Sequence, residues 1–203
     1  MKIRSIFPEG IAIVSNTDLE LDKQALLKTI KWKNDENGLG EFDQSQTDLH
    51  TLPEWQSLCN WIVRKAEEYW SNLGYKYDEL YITQAWLNKM SDAGTISWHN
   101  HSNSLISAVY YFQTDDSTGP TIFQSTKNPL QLMIQTEIEK FTDYNCPEIA
   151  VNPTQDSLVL FPSYISHRSA PNRQGAERYT IAVNIMPKTL GKENHFNWAQ
   201  MHK

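Results

Sequence analysis

Arg178-Tyr179-Thr180-Ile181-Ala182-Val183-Asn184-Ile185-Met186 alternates with a period of two. Tyr179, Ile181, Val183 and Ile185 share one face of the extended chain, and Arg178, Thr180, Ala182 and Asn184 share the other. Polar groups on the second face of a well-covered strand are the profile of a ligand-cavity wall. Upstream, further short segments near 80–90, 96–101, 105–113, 121–124, 130–135, 157–161 and 165–169 are rich in Tyr, Ile, Val, Thr and Phe. Turn clusters at 115–120 and 171–175 punctuate them.

Ahead of the strands the period becomes helical. One segment is expected over 18–33, with Leu21, Ala25, Leu26 and Ile30 on its apolar side. A stronger one carries Trp55, Leu58, Cys59, Ile62, Val63, Ala66, Trp70 and Leu73 at steps of three and four, with Pro53 in its first turn and Gly74 at its stop. About eight strands after two helices predict a mainly β (α+β) chain, a double-stranded β-helix (jelly-roll) barrel with the N-terminal helices packed against one sheet. All 203 residues are expected to form a single domain. Within it, 1–78 is a helical support region, 79–187 the jelly-roll core, and 188–203 a polar tail ordered where Phe196 and Trp198 dock.

The net charge of −6 argues against a dedicated duplex nucleic-acid binder. No apolar run approaches the roughly 20 residues of a bilayer span. The start, MKIRSIFPEG, lacks the apolar stretch of a secretory leader. Cys59 and Cys146 form no CxxC pair, which argues against a thiolate zinc site and a disulfide framework. A cytoplasmic location is expected, with a small-molecule or peptide substrate, no membrane partner and no specified oligomeric state.

His50, His195 and His202 read as ordinary side chains. His99 and His101 lie two apart in a segment that reads as extended, so their imidazoles converge on one side and could ligate a metal. Taken alone, the pair fits equally a strand with two polar residues facing solvent. His167 follows the buried run Leu158-Val159-Leu160-Phe161-Pro162. A hairpin centred near 172–173 would place His167 almost opposite Arg178. The plain alternative for Arg178 is an ion pair at a strand start.

Together these residues resemble the 2-oxoglutarate- and iron(II)-dependent oxygenases, and more narrowly a small oxygenase family with a His-x-His motif. The resemblance rests on His99-Asn100-His101-Ser102-Asn103-Ser104, Ser107-Ala108-Val109-Tyr110-Tyr111, Leu160-Phe161-Pro162, His167, Pro171-Asn172 and Arg178-Tyr179-Thr180-Ile181, and covers 85–187. It implies a catalytic metal triad of His99, His101 and His167, with His101 where most of the superfamily carries a carboxylate. Arg178 and Thr180 would bind the distal carboxylate of 2-oxoglutarate. The cofactors implied are Fe(II), 2-oxoglutarate as co-substrate and O2, with ascorbate as an optional reductant. The reaction implied is hydroxylation of a substrate coupled to decarboxylation of 2-oxoglutarate to succinate.

Three alternatives stand beside this reading. A carboxylate, Asp92 or Asp156, could replace one histidine of the pair. A cupin-like enzyme would use three histidines without a keto acid. A non-catalytic jelly-roll module could stack a carbohydrate on Trp86, Trp98, Tyr110 or Tyr111. The insertion at 128–153 is expected to border the mouth, with Lys127 and Tyr144 as candidate substrate contacts.

Overall fold

A computed structural model describes residues 1, 3, 8–33, 42–76, 79–126, 137–142, 144–173, 175–190 and 196–197. In chain order the elements are β1 (Ala12–Ser15), α1 (Lys23–Leu27), β2 (Trp32–Lys33), β3 (Asp43–Ser45), two 3-10 turns (Leu49–Thr51 and Pro53–Trp55), α2 (Gln56–Asn72), β4 (Leu80–Met90), β5 (Ile96–His99), β6 (Ile106–Gln113), β7 (Thr121–Gln124), β8 (Glu148–Val151), β9 (Ser157–Pro162), β10 (His167–Ser169), β11 (Arg178–Pro187), β12 (Thr189–Leu190) and β13 (Phe196–Asn197). The strands form a seven-stranded sheet, β1-β9-β6-β11-β4-β3-β2, and a four-stranded sheet, β5-β10-β7-β8, with β12 and β13 paired separately. Every pairing between named strands is antiparallel. The architecture is the double-stranded β-helix expected from the strand pattern.

The two-residue period sorts the core into two layers. Leu158 and Leu160 of β9, Ile106, Ala108, Tyr110 and Phe112 of β6, and Tyr179, Ile181, Val183 and Ile185 of β11 face α2. Val109, Tyr111, Val159 and Phe161 face inward, against Phe123 and Val151 of the smaller sheet. The central strands of the large sheet are therefore covered on both sides, which is why they read as nearly continuous apolar runs. Helix α2 buries Leu58, Cys59, Trp61, Ile62, Ala66 and Tyr69. Each large side chain removed from water there contributes about 1.5–3 kcal/mol. The buried aromatics also anchor the N-terminal segment by their polar ends. Trp61 Nε1 donates to Asp18 (3.2 Å), Trp55 Nε1 to Thr29 (2.9 Å) and the Tyr69 hydroxyl to the Gly10 carbonyl (2.8 Å). Gly74 takes φ +83° at the helix stop, a conformation that favours glycine.

Several expectations are corrected. The helix expected over 18–33 is only Lys23–Leu27. Asn16 Oδ1 accepts from the Leu19 N–H and holds the approach as a turn, and the Thr29 hydroxyl donates to the Leu26 carbonyl at the other end. Trp32 and Lys33 then pair with Ser45 and Gln44 as a strand. The 1–78 region is accordingly not helical alone, because β1, β2 and β3 extend the large sheet. The 128–153 insertion contains a strand, β8, on the edge of the small sheet. The hairpin expected to set His167 beside Arg178 does not form. His167 pairs with His99 and Phe123, whereas Arg178 pairs with Met90 in the other sheet. Pro171 lacks the N–H needed to continue a ladder, and the chain crosses between sheets there. The expected strand at 130–135, Lys127 and Trp198 lie outside the described residues. Among those residues no helix is long and apolar enough to cross a membrane.

Candidate metal centre

His99 closes β5 and His167 opens β10, and the two are cross-strand partners. Their rings face the same side of the small sheet, with centroids 4.3 Å apart. A register shift between His167 and Ser169 lets Ile96 and His99 both line the cavity, although they are three residues apart. His101 lies just beyond the strand, where its backbone N–H donates to the Ser163 carbonyl (3.0 Å). Its ring lies 5.2 Å from each of the other two. The expectation that His99 and His101 converge is met, but by this tether rather than by strand alternation.

One ligand nitrogen from each of His99, His101 and His167 lies within 4.8 Å of the others. Nδ1 of His99 donates to the Ser97 carbonyl (2.8 Å), and Nδ1 of His167 donates to the Ile165 carbonyl (3.0 Å). A carbonyl can only accept, so these bonds place the proton on Nδ1 and leave Nε2 as a free donor pair. Nε2 of His101 and Nε2 of His167 lie 3.3 Å apart. Two nitrogens each about 2.1 Å from one cation, at 90–109° to each other, would be separated by roughly 3.0–3.4 Å.

Burial keeps all three rings neutral. It pushes the pKa of His99 down, that of His101 down to about 4 and that of His167 down to about 3, with the neighbouring imidazoles adding to the last two shifts. Folded-state values below the unfolded value of 6.5 mean that the unfolded chain binds more protons as pH falls. Their contribution to stability is complete above pH 6.5 and is lost as pH falls toward 4 and then 3. His101 and His167 should each cost the metal-free protein about 2 kcal/mol between pH 7 and pH 5, on the order of 4 kcal/mol together. Urea unfolding at both pH values measures this; an unchanged midpoint would contradict the burial of the cluster.

The three imidazoles open into a cavity of about 360 Å³ between the sheets. Trp86, Asn88, Arg178, Thr180 and Ala182 form the wall contributed by β4 and β11, so the polar face of β11 does line a ligand cavity. No Asp or Glu is among the described lining residues. Arg178 is 1% exposed. Its two terminal nitrogens donate to the Gly119 carbonyl (2.8 Å) and the Thr121 hydroxyl (3.1 Å), and Nε has no partner. Its guanidinium carbon lies 5.4 Å over the Tyr111 ring. Burial pushes its pKa down, but from a value so high that it keeps its charge at neutral pH.

The carboxylate alternatives lie elsewhere. Asp156 binds Lys23 and the Tyr110 hydroxyl, and Asp92 accepts from the Gly175 N–H. Trp98 is exposed beneath the Arg168 guanidinium, Tyr110 packs toward α2, and Tyr144 is exposed. Trp86 reaches the cavity, 5.7 Å from His101. His50 is half-buried in the first 3-10 turn, and His195 and His202 lie outside the described residues. Sequence reasoning missed Asn88 and Thr121. Asn88, with Oδ1 buried and unpartnered, has a signal in the polar residue it places on Trp86's face of a covered strand. Thr121, just after Gly119-Pro120, carries none.

This barrel, with three clustered imidazoles and a buried cation sharing one cavity, defines the class of non-haem metal oxygenases. The family profile described as "Putative 2OG-Fe(II) oxygenase" matches residues 84–184. The chain belongs to that family and is an oxidoreductase of the 2-oxoglutarate- and iron(II)-dependent kind. Among solved structures it is similar to a Pseudomonas putida prolyl-4-hydroxylase, at 12% identity and TM-score 0.60, covering 88% of this chain and 93% of that one. It is also similar to SnoN, a non-haem alpha-ketoglutarate-dependent epimerase from nogalamycin biosynthesis, at 13% identity and TM-score 0.64, covering 89% and 79%. A third is HygX from Streptomyces hygroscopicus, solved with nickel and 2-oxoglutarate bound, at 8% identity and TM-score 0.60, covering 88% and 83%. Identities this low establish the shared fold. No curated protein matches the chain in sequence.

Proposed function

We propose that the chain is a 2-oxoglutarate- and iron(II)-dependent dioxygenase that hydroxylates a small-molecule or peptide substrate and converts 2-oxoglutarate to succinate. His99, His101 and His167 hold the iron, and Arg178 with Thr180 holds the distal carboxylate of the keto acid. The observation that carries this reading is the buried Arg178 guanidinium, which has two neutral acceptors, no partner for Nε among the described residues, and a place in the wall of the cavity that the three imidazoles enter.

The donor set fits the metal. Imidazole suits iron, nickel, copper and zinc, and three neutral rings leave a divalent charge uncancelled. Among the described residues the cavity wall offers no carboxylate to offset it. A buried guanidinium at one point and a divalent cation at another call for a dianion with a negative group for each. 2-Oxoglutarate has that form, and a guanidinium grips a carboxylate through charge-assisted bonds. Bound iron supplies the oxygen activation that couples keto-acid decarboxylation to oxidation of the substrate. The chain's own residues fix the imidazoles through Ser97 and Ile165, hold the keto acid and exclude water. Pocket features lead to the same substrate class. Among the described residues its wall is neutral apart from Arg178, with aromatic and amide side chains at Phe42, Gln44 and Trp86.

Calorimetry of the iron(II)-loaded protein without oxygen should show 2-oxoglutarate binding far more tightly than 2-oxobutanoate, which lacks the distal carboxylate. With oxygen and ascorbate, slow succinate release without added substrate is expected. Iron binding unaccompanied by any 2-oxoglutarate binding would leave the cupin-like enzyme as the better reading.

A further inference from the structure

We infer that Asn172 is a positioning residue for 2-oxoglutarate, acting on Arg178 through Gly119. The inference rests on the role proposed above for Arg178.

Arg178 does not aim itself. One terminal nitrogen is held by the Gly119 carbonyl at 2.8 Å, so the direction of that carbonyl sets the plane of the guanidinium. Residue 119 has to be glycine, because a Cβ there would run into the backbone carbonyls of Ala170 and Pro171. A glycine leaves its own carbonyl loosely specified, since its backbone has the widest torsional freedom. Asn172 restrains that residue from its N–H side. Its Oδ1 accepts from the Gly119 N–H (3.1 Å), and its Nδ2 donates to the carbonyls of Met90 (3.0 Å) and Ser91 (3.3 Å). One buried amide, 6% exposed, thus ties the end of β4 to the residue whose carbonyl orients the cavity's cation.

The amide is not what keeps these segments together. The Arg173 N–H donates to the Ser117 carbonyl (2.9 Å), and the Ala170 N–H donates to the Pro120 carbonyl (2.9 Å), one on either side of Gly119. Both are backbone bonds that survive removal of the Asn172 side chain. Losing the amide leaves the loops docked but releases Gly119 at its N–H, so that its backbone torsions, and with them the direction of its carbonyl, are less restrained. Asn172 stands behind Arg178 rather than in the cavity, so its effect passes only to a ligand that touches the guanidinium.

The test uses the nickel-loaded full chain and two ligands, 2-oxoglutarate and 2-oxobutanoate, measured by calorimetry. In Asn172→Ala the Kd for 2-oxoglutarate should rise about tenfold, the scale of one misaligned charge-assisted hydrogen bond. The Kd for 2-oxobutanoate and the affinity for nickel should stay within about twofold. Gly119→Ala keeps the amide but displaces the carbonyl, and should give the same selective loss, so the test survives if one variant fails to fold. Equal weakening of both keto acids, or of neither, overturns the inference. If the wild-type chain itself fails to prefer 2-oxoglutarate, the reading of Arg178 falls first, and this inference with it.

Discussion

His167→Ala is expected to abolish iron binding and, with it, 2-oxoglutarate turnover. His167 is 4% exposed, its Nδ1 is committed to the Ile165 carbonyl, and its Nε2 lies 3.3 Å from that of His101. The alanine variant leaves two imidazoles, and no described carboxylate is grouped with them to take the third position. Loss of a supporting group around a metal ligand costs about 10–100-fold in affinity, so loss of a ligand itself should exceed a hundredfold. Metal content after loading and desalting, with nickel calorimetry, measures the effect. Succinate release should fall to background in parallel. The imidazole packs against Phe123 and Phe161, so its removal also opens a cavity. His167→Gln retains most of the volume and separates that packing loss from ligand loss. Full metal occupancy in both variants would sink the triad.

The fold was legible where both faces of a strand are buried. The alternation in β11, and the apolar runs of β6 and β9, follow from being sandwiched between α2 and the small sheet. Where structure hangs on one side chain, the sequence reading went astray. The 18–33 segment has helical spacing, yet the bonds of Asn16 and Thr29 cut it to five residues. Position along the chain also misled the pairing of His167 with Arg178. Spacing alone describes a hairpin, whereas the side-chain bonds of Asn172 belong to a crossover between sheets. His99 and His101 do converge, but through the bond of the His101 N–H to the Ser163 carbonyl, which the extended reading of 95–101 did not contain. Asn88 and Thr121 contribute to the wall through contacts between distant segments, which spacing in one sequence cannot encode.

Arg178→Met should separate binding from stability. The side chain is fully buried between Tyr111 and the Gly119–Thr121 backbone, with no carboxylate among its hydrogen-bond partners. Desolvating an ion is expensive, and here two neutral acceptors offset only part of that cost. Methionine has similar length and no charge, and replacing a buried ion by an apolar group of like volume is often neutral or stabilising. The variant leaves the Gly119 carbonyl and Thr121 hydroxyl short of a donor, a smaller loss than the charge it removes. The metal-free variant should therefore unfold at a temperature equal to or above that of the wild type. Its affinity for 2-oxoglutarate should collapse, because removing one member of a buried charge pair costs about 2–5 kcal/mol, or roughly 30-fold to several thousandfold in Kd. Nickel affinity should be unchanged, because the three imidazoles are carried by β5, the loop after it and β10, not by β11. A cation kept in the barrel for architecture alone would show the opposite pair of results: a lower unfolding temperature with intact keto-acid binding. The two measurements together decide whether the charge at position 178 is there for the fold or for the ligand.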